Sequence, residues 1–188
     1  MKLVTCFLFA VWLICSGFVV VGHRPPATGG GATCSGNYGN VTAEASSVNS
    51  AAGEIVCTRV DLNCSGTMSS ISALQQYADS GADQFELLSY ADNGSCTDPG
   101  ALLGQYGAMY TSDYPDFSTD ATVGETISGA PACIWLCLQF QGANNRFYYN
   151  TTGGVSRAYV GTWGSPPDPW PTADDTETTR LYSIFGTF

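Results

Sequence analysis

Ala132-Cys133-Ile134-Trp135-Leu136-Cys137-Leu138-Gln139-Phe140 is an almost unbroken apolar run. Gly129-Ala130-Pro131 closes it on one side and Gln141-Gly142-Ala143-Asn144-Asn145 on the other. A run this short, with turn residues at both ends, predicts a strand buried on both faces. Alternation puts Cys133, Trp135 and Cys137 on one face, and Ile134, Leu136, Leu138 and Phe140 on the other. A helix over 132–140 is the alternative, since leucine is common there and only Ile134 is β-branched. The strand reading demands a packed layer against each face.

The two cysteines of this run belong to a larger set. Cys6 and Cys15 lie in an amino-terminal segment, leaving Cys34, Cys57, Cys64, Cys96, Cys133 and Cys137, an even set that predicts three disulfides. Neither close pair suits an internal bond. On one strand Cys57 and Cys64 would lie roughly 23 Å apart, facing opposite sides. Cys133 and Cys137 would lie about 13 Å apart, against a limit of about 7 Å between bonded Cα atoms. Both must therefore reach partners in the 34–96 half of the chain.

Residues 1–22 have the order of a signal peptide: Lys2, a long apolar stretch from Leu3 to Val21, then Val20-Val21-Gly22 before His23. The apolar stretch is long enough for a retained anchor to be the alternative. Removal of 22 of the 188 residues leaves 166, enough for one domain. That remainder carries five arginines, no lysine and all 16 acids, a formal charge of −11. Such a balance argues against nucleic acid and anionic membrane surfaces as partners. Four sequons, at Asn40, Asn63, Asn93 and Asn150, predict a secreted glycoprotein whose modified asparagines face solvent.

Residues 23–48, rich in Gly, Pro, Ala and Thr, read as a flexible lead-in that becomes ordered near Cys34, and 49–188 as a single β-rich domain. In 54–64, Val56, Thr58, Val60 and Leu62 alternate with Cys57, Arg59, Asp61 and Asn63, as in a strand with one wet face. Ile71, Leu74 and Ala78 stand at helical spacing, predicting one short helix over 68–77. Residues 84–91 read as a strand, and 111–124, polar and acidic with Pro115, as a loop. Asn- and Gly-bearing turns separate 132–140, 146–151 and 156–163, a pattern that predicts an antiparallel meander. The last alternating run is 180–188. Without βαβ alternation, the fold class is all-β: an antiparallel β-sandwich or jelly-roll-like domain with one short helix and three disulfides.

Catalytic chemistry is scarce. His23 is the lone histidine and no lysine follows residue 22, so a histidine triad or a Schiff-base lysine within the domain is excluded. No cofactor is implied by any motif, and no catalytic residue is assigned. Paired carboxylates remain conceivable, with Asp61, Glu86 and Glu125 on or near predicted strands, as in a glycoside hydrolase. Asp113, Asp116 and Asp120 share one loop, within reach of a common Ca²⁺ or simply as exposed acids. Trp163 and Trp170 flank Pro166-Pro167-Asp168-Pro169, and Tyr148 and Tyr159 lie on adjacent predicted strands. Rigid aromatic faces bind sugar rings and proteins at low entropic cost. The expected function is extracellular recognition of a glycan or protein ligand through Trp163, Trp170, Tyr148 and Tyr159. The alternatives are a carbohydrate-active hydrolase or a structural extracellular protein.

Overall fold

The structure is a computed structural model that describes residues 32–77, 83–111, 114–129, 131–143, 145–171 and 176–188. The proposed signal segment and Asp113 lie outside these residues.

The strands follow one another as β1 (Ala32–Thr33), β2 (Asn37–Gly39), β3 (Ser46–Asn49), β4 (Glu54–Asp61), β5 (Cys64–Met68) and β6 (Ser70–Tyr77). Next come β7 (Gln84–Asp92), β8 (Pro99–Tyr110), β9 (Asp116–Asp120), β10 (Glu125–Ile127) and β11 (Cys133–Phe140). The chain ends with β12 (Asn145–Asn150), β13 (Ser156–Val160), β14 (Thr176–Thr178), β15 (Leu181–Tyr182) and β16 (Ile184–Thr187). Three short strands thus occupy the stretch read as a lead-in.

Two sheets face each other as a β-sandwich. The first is six-stranded in the order β14-β13-β4-β11-β7-β8. In the second, β6 pairs with β9 along one edge and with β16 and then β12 along the other, and β2, β3 and β15 extend it. A small sheet, β1-β5-β10, completes the set. Among the described residues no helix is long and apolar enough to cross a membrane.

β11 is the strand that its sequence predicts. It lies between β4 and β7, and all of its residues are buried. Ile134, Leu136, Leu138 and Phe140 enter the main core with Val56, Leu87, Ile71, Phe147 and Ile184, contributed by both sheets. Trp135 and Cys137 point the other way, into a second cluster with Ile55, Cys57, Leu88, Tyr90 and Trp170. Fully burying side chains of this size stabilises by about 1.5–3 kcal/mol each, which explains why the register of β11 is fixed. Gly186 of β16 faces this core so closely that a Cβ there would lie 2.5 Å from Met68 Sδ. Only glycine fits.

Three disulfides join Cys34 to Cys64, Cys57 to Cys137 and Cys96 to Cys133. As expected, neither close pair is bonded internally, and both cysteines of β11 reach the 34–96 half.

Three expectations are corrected. Residues 68–77 form no helix: most of them lie in β6, where Ile71 and Ala73 face the main core while Leu74 is covered on the opposite side. Burial on both faces imitates helical spacing. Residues 111–124 are not all loop, because β9 pairs along β6 from Ile71 to Gln75. Nor are β11, β12 and β13 a meander. β12 crosses to the other sheet, and β13 returns to pair with β4, on the far side from β11. Turn residues show that the chain reverses; they do not show which sheet receives it.

Candidate functional site

The face of the six-stranded sheet that turns away from the main core is roofed by two loops. The first, 161–171, carries Trp170, whose backbone N–H donates to Gly100 O (2.9 Å) while Leu102 N–H donates to Asp168 Oδ1 (2.9 Å). The loop thus takes up edge groups of β8. The Trp170 ring packs edge-on against Tyr90 (5.4 Å between centroids) and Tyr159 (5.9 Å) and is only 4% exposed. Tyr90 Oη completes the contact by donating to Pro167 O at 3.0 Å. The Pro-rich loop therefore presses its second indole inward instead of holding it out. Trp163 sits half-buried in the same loop.

Beneath this roof lie two polar side chains. Glu86 of β7 and Gln139 of β11 are directly paired across the strands, and both are buried. Gln105 Nε2 donates to Glu86 Oε2 (2.8 Å) and lies 3.3 Å from Gly164 O. Gln139 Nε2 donates to Thr162 O at 3.0 Å. Burial pushes the Glu86 carboxyl above its ordinary range, partly offset by hydrogen bonds from Gln105 and the Gly164 backbone.

The second roof is the 93–98 turn. Arg157 donates to Asp98 Oδ1 (2.6 Å) and Thr97 O (2.7 Å), and Arg59 Nη1 donates to Cys96 O (3.3 Å). The Cys96–Cys133 disulfide ties the turn to β11. Asp92 lies close to both of these sulfurs, but they are bonded to each other and offer no thiolate to a metal.

Asp61 and Glu86 do not converge. Asp61 lies opposite Cys133 and Glu86 opposite Gln139, so about 20 Å of β11 separates the two registers. A glycosidase pair needs about 5–10 Å. Asp61 is instead paired with Arg59 at 2.9 Å, and Glu125 belongs to the small sheet. Asp116 and Asp120 mark opposite ends of β9, about 13 Å apart along an extended strand. The Asp120 carboxylate accepts from Thr122 N (2.7 Å) and Thr122 Oγ1 (2.6 Å), closing a local turn.

Tyr148 does not join the other aromatics. It lies on β12 in the seven-stranded sheet, largely buried, and its hydroxyl donates to Gln76 Oε1. Its neighbours on the outer face of that sheet follow from register. Phe117 is opposite Leu74, and Phe185 and Thr119 are both opposite Ser72. The Phe117 and Phe185 rings come from strands on either edge of β6, yet their centroids are 5.5 Å apart. They therefore lean together over Ser72 and Leu74, which explains why both are buried on an outer face. Around this partly exposed aromatic pair stand hydroxyls and amides bonded across strands: Ser72 with Thr119 (2.7 Å), and Thr187 with Asn37 (2.9 Å).

The chain matches no known family model and no curated protein.

One groove of about 260 Å³ lies between Asp92, Leu103, Ile127, Pro131 and Ile134, away from every aromatic named from sequence. The sequence did hold a signal for Phe185. In 180–188 it occupies the register of Ser183 and Thr187, so an aromatic ring appears where the alternation calls for a polar residue.

Proposed function

We propose that this protein is a secreted recognition domain whose ligand, a glycan or another protein, lies on the outer face of the seven-stranded sheet. The Phe117–Phe185 pair carries this reading. It is a partly exposed aromatic platform on rigid strands, flanked by hydroxyl and amide groups. Strand-borne rings lose little freedom on binding, and uncharged polar neighbours supply hydrogen bonds without the desolvation cost of ions. Disulfide bonding suits an oxidising compartment. Phe117→Ala should weaken binding in a glycan and cell-surface screen by about tenfold or more, roughly 1.4 kcal/mol, while the protein stays folded. Undiminished binding by a folded Phe117→Ala protein would remove the platform from the reading.

Glycosylation on secretion would be selective. Asn63 and Asn93 are exposed, whereas Asn40 is 7% exposed and its Nδ2 is within hydrogen-bonding distance of Glu44 Oε1 (3.3 Å) and Leu181 O (3.4 Å). A sugar on that nitrogen displaces one of these bonds. Glycopeptide mapping of secreted material should find Asn63 occupied and Asn40 bare. Full occupancy of Asn40 would count against this packing.

A further inference from the structure

Two buried oxygens beneath the 161–171 roof have no partner. Among the described residues, Glu86 Oε1 and Gln139 Oε1 make no hydrogen bond, although Glu86 is 4% exposed and Gln139 0%. An unpaired buried oxygen gives up its hydration with nothing in return, so two on directly opposed residues call for a common cause. A hard cation such as Ca²⁺ needs about six to eight oxygens. Here the nearby carbonyls of Thr162 and Gly164 already receive side-chain N–H groups. A single proton needs only two oxygens.

We infer that Glu86 is protonated in the folded protein and donates its proton to Gln139 Oε1, so that a neutral carboxyl–amide pair clasps the 161–171 loop onto the sheet. With the Gly164 backbone also bonded to the Glu86 carboxyl, this proton gives both unpaired oxygens a partner. Gln105 serves Glu86 Oε2 and Gly164, Gln139 Nε2 serves Thr162, and the proton joins the remaining two oxygens. Gln105 on β8, Gln139 on β11 and Gly164 in the loop meet Glu86 with neutral groups. Among the described residues, the ionisable group close to Glu86 is Tyr90 on its own strand, which in turn lies near Asp168 of the loop. Burial, and after it the charge of Asp168, push the Tyr90 phenol upward, which keeps it neutral.

The folded-state value of the Glu86 carboxyl lies above its ordinary 4.5. Its contribution to stability is therefore fully present below that ordinary value and is lost as pH rises through the folded one. Glu86→Gln supplies the same neutral donor at every pH. Its melting temperature should match the native protein near pH 4 and exceed it by about 3 °C or more at pH 8. Tryptophan fluorescence of the native protein should report loosening of the roof over the same range, and Glu86→Gln should abolish that change. An infrared difference spectrum at neutral pH should show a protonated carboxyl that Glu86→Gln lacks. A melting difference that is constant from pH 4 to pH 8 would overturn the inference. So would a stabilisation by added Ca²⁺ that Glu86→Gln abolishes, which would assign the oxygens to a cation.

Discussion

Replacing Cys57 and Cys137 together by alanine is expected to lower the unfolding free energy by about 4.5 kcal/mol, a large fraction of the stability of a single domain. The two cysteines face each other directly across β4 and β11, and both are 0% exposed. Their strands are already held by backbone hydrogen bonds, so the crosslink acts mainly on the unfolded chain. It closes a loop 80 residues long, against 30 for Cys34–Cys64 and 37 for Cys96–Cys133. In the chain-entropy model the two shorter loops contribute about 3.6 and 3.8 kcal/mol. Urea denaturation of the three double mutants measures the series. A loss under about 1 kcal/mol for the Cys57/Cys137 pair would show that this crosslink adds nothing to the strand ladder.

Trp170→Ala is expected to cost about 3 kcal/mol or more, in the range for truncation of a buried tryptophan. The indole fills the gap between Tyr90 and Tyr159, and no other side chain of its loop is placed to replace it. Trp163→Ala should cost clearly less, because that ring is only half-buried. Thermal melts of the two variants at one pH decide the matter. Equal losses would contradict the assignment of Trp170 to the core, and a negligible loss for Trp170→Ala would restore it as a surface ring.

The fold was legible where local pattern and burial agree. β11 announces itself because its apolar run, its length and its flanking turns all indicate one structure, and its face assignment follows from alternation alone. The length of chain that an extended strand puts between each close pair excluded both short-range disulfides. Legibility failed wherever the partner of a segment is set by distant chain. Leu74 looks helical beside Ile71 only because Phe117 and Phe185 cover it from strands more than 40 residues away. β12 looks like the second strand of a meander because nothing in 141–145 names the sheet that receives it. Trp170 resembles an exposed loop residue until Tyr90 and Tyr159 are brought beneath it. The Glu86–Gln139 pair was legible only in part: a glutamate on a predicted strand is visible, but the oxygen it must satisfy lies on another strand.

The position of β11 also sets a timetable. Cys57 and Cys96 precede their partners in the chain, and both partners lie in β11. A growing polypeptide that has reached residue 130 can close Cys34–Cys64 but nothing else in the native set. β4 and β7, each flanking the same missing strand, must wait with their inner edges unsatisfied. Non-local strand pairing of this kind is slow. Until β11 arrives, Cys57 and Cys96 have no native partner, and any bond that they form with each other or with Cys34 and Cys64 must be exchanged before the native set can close.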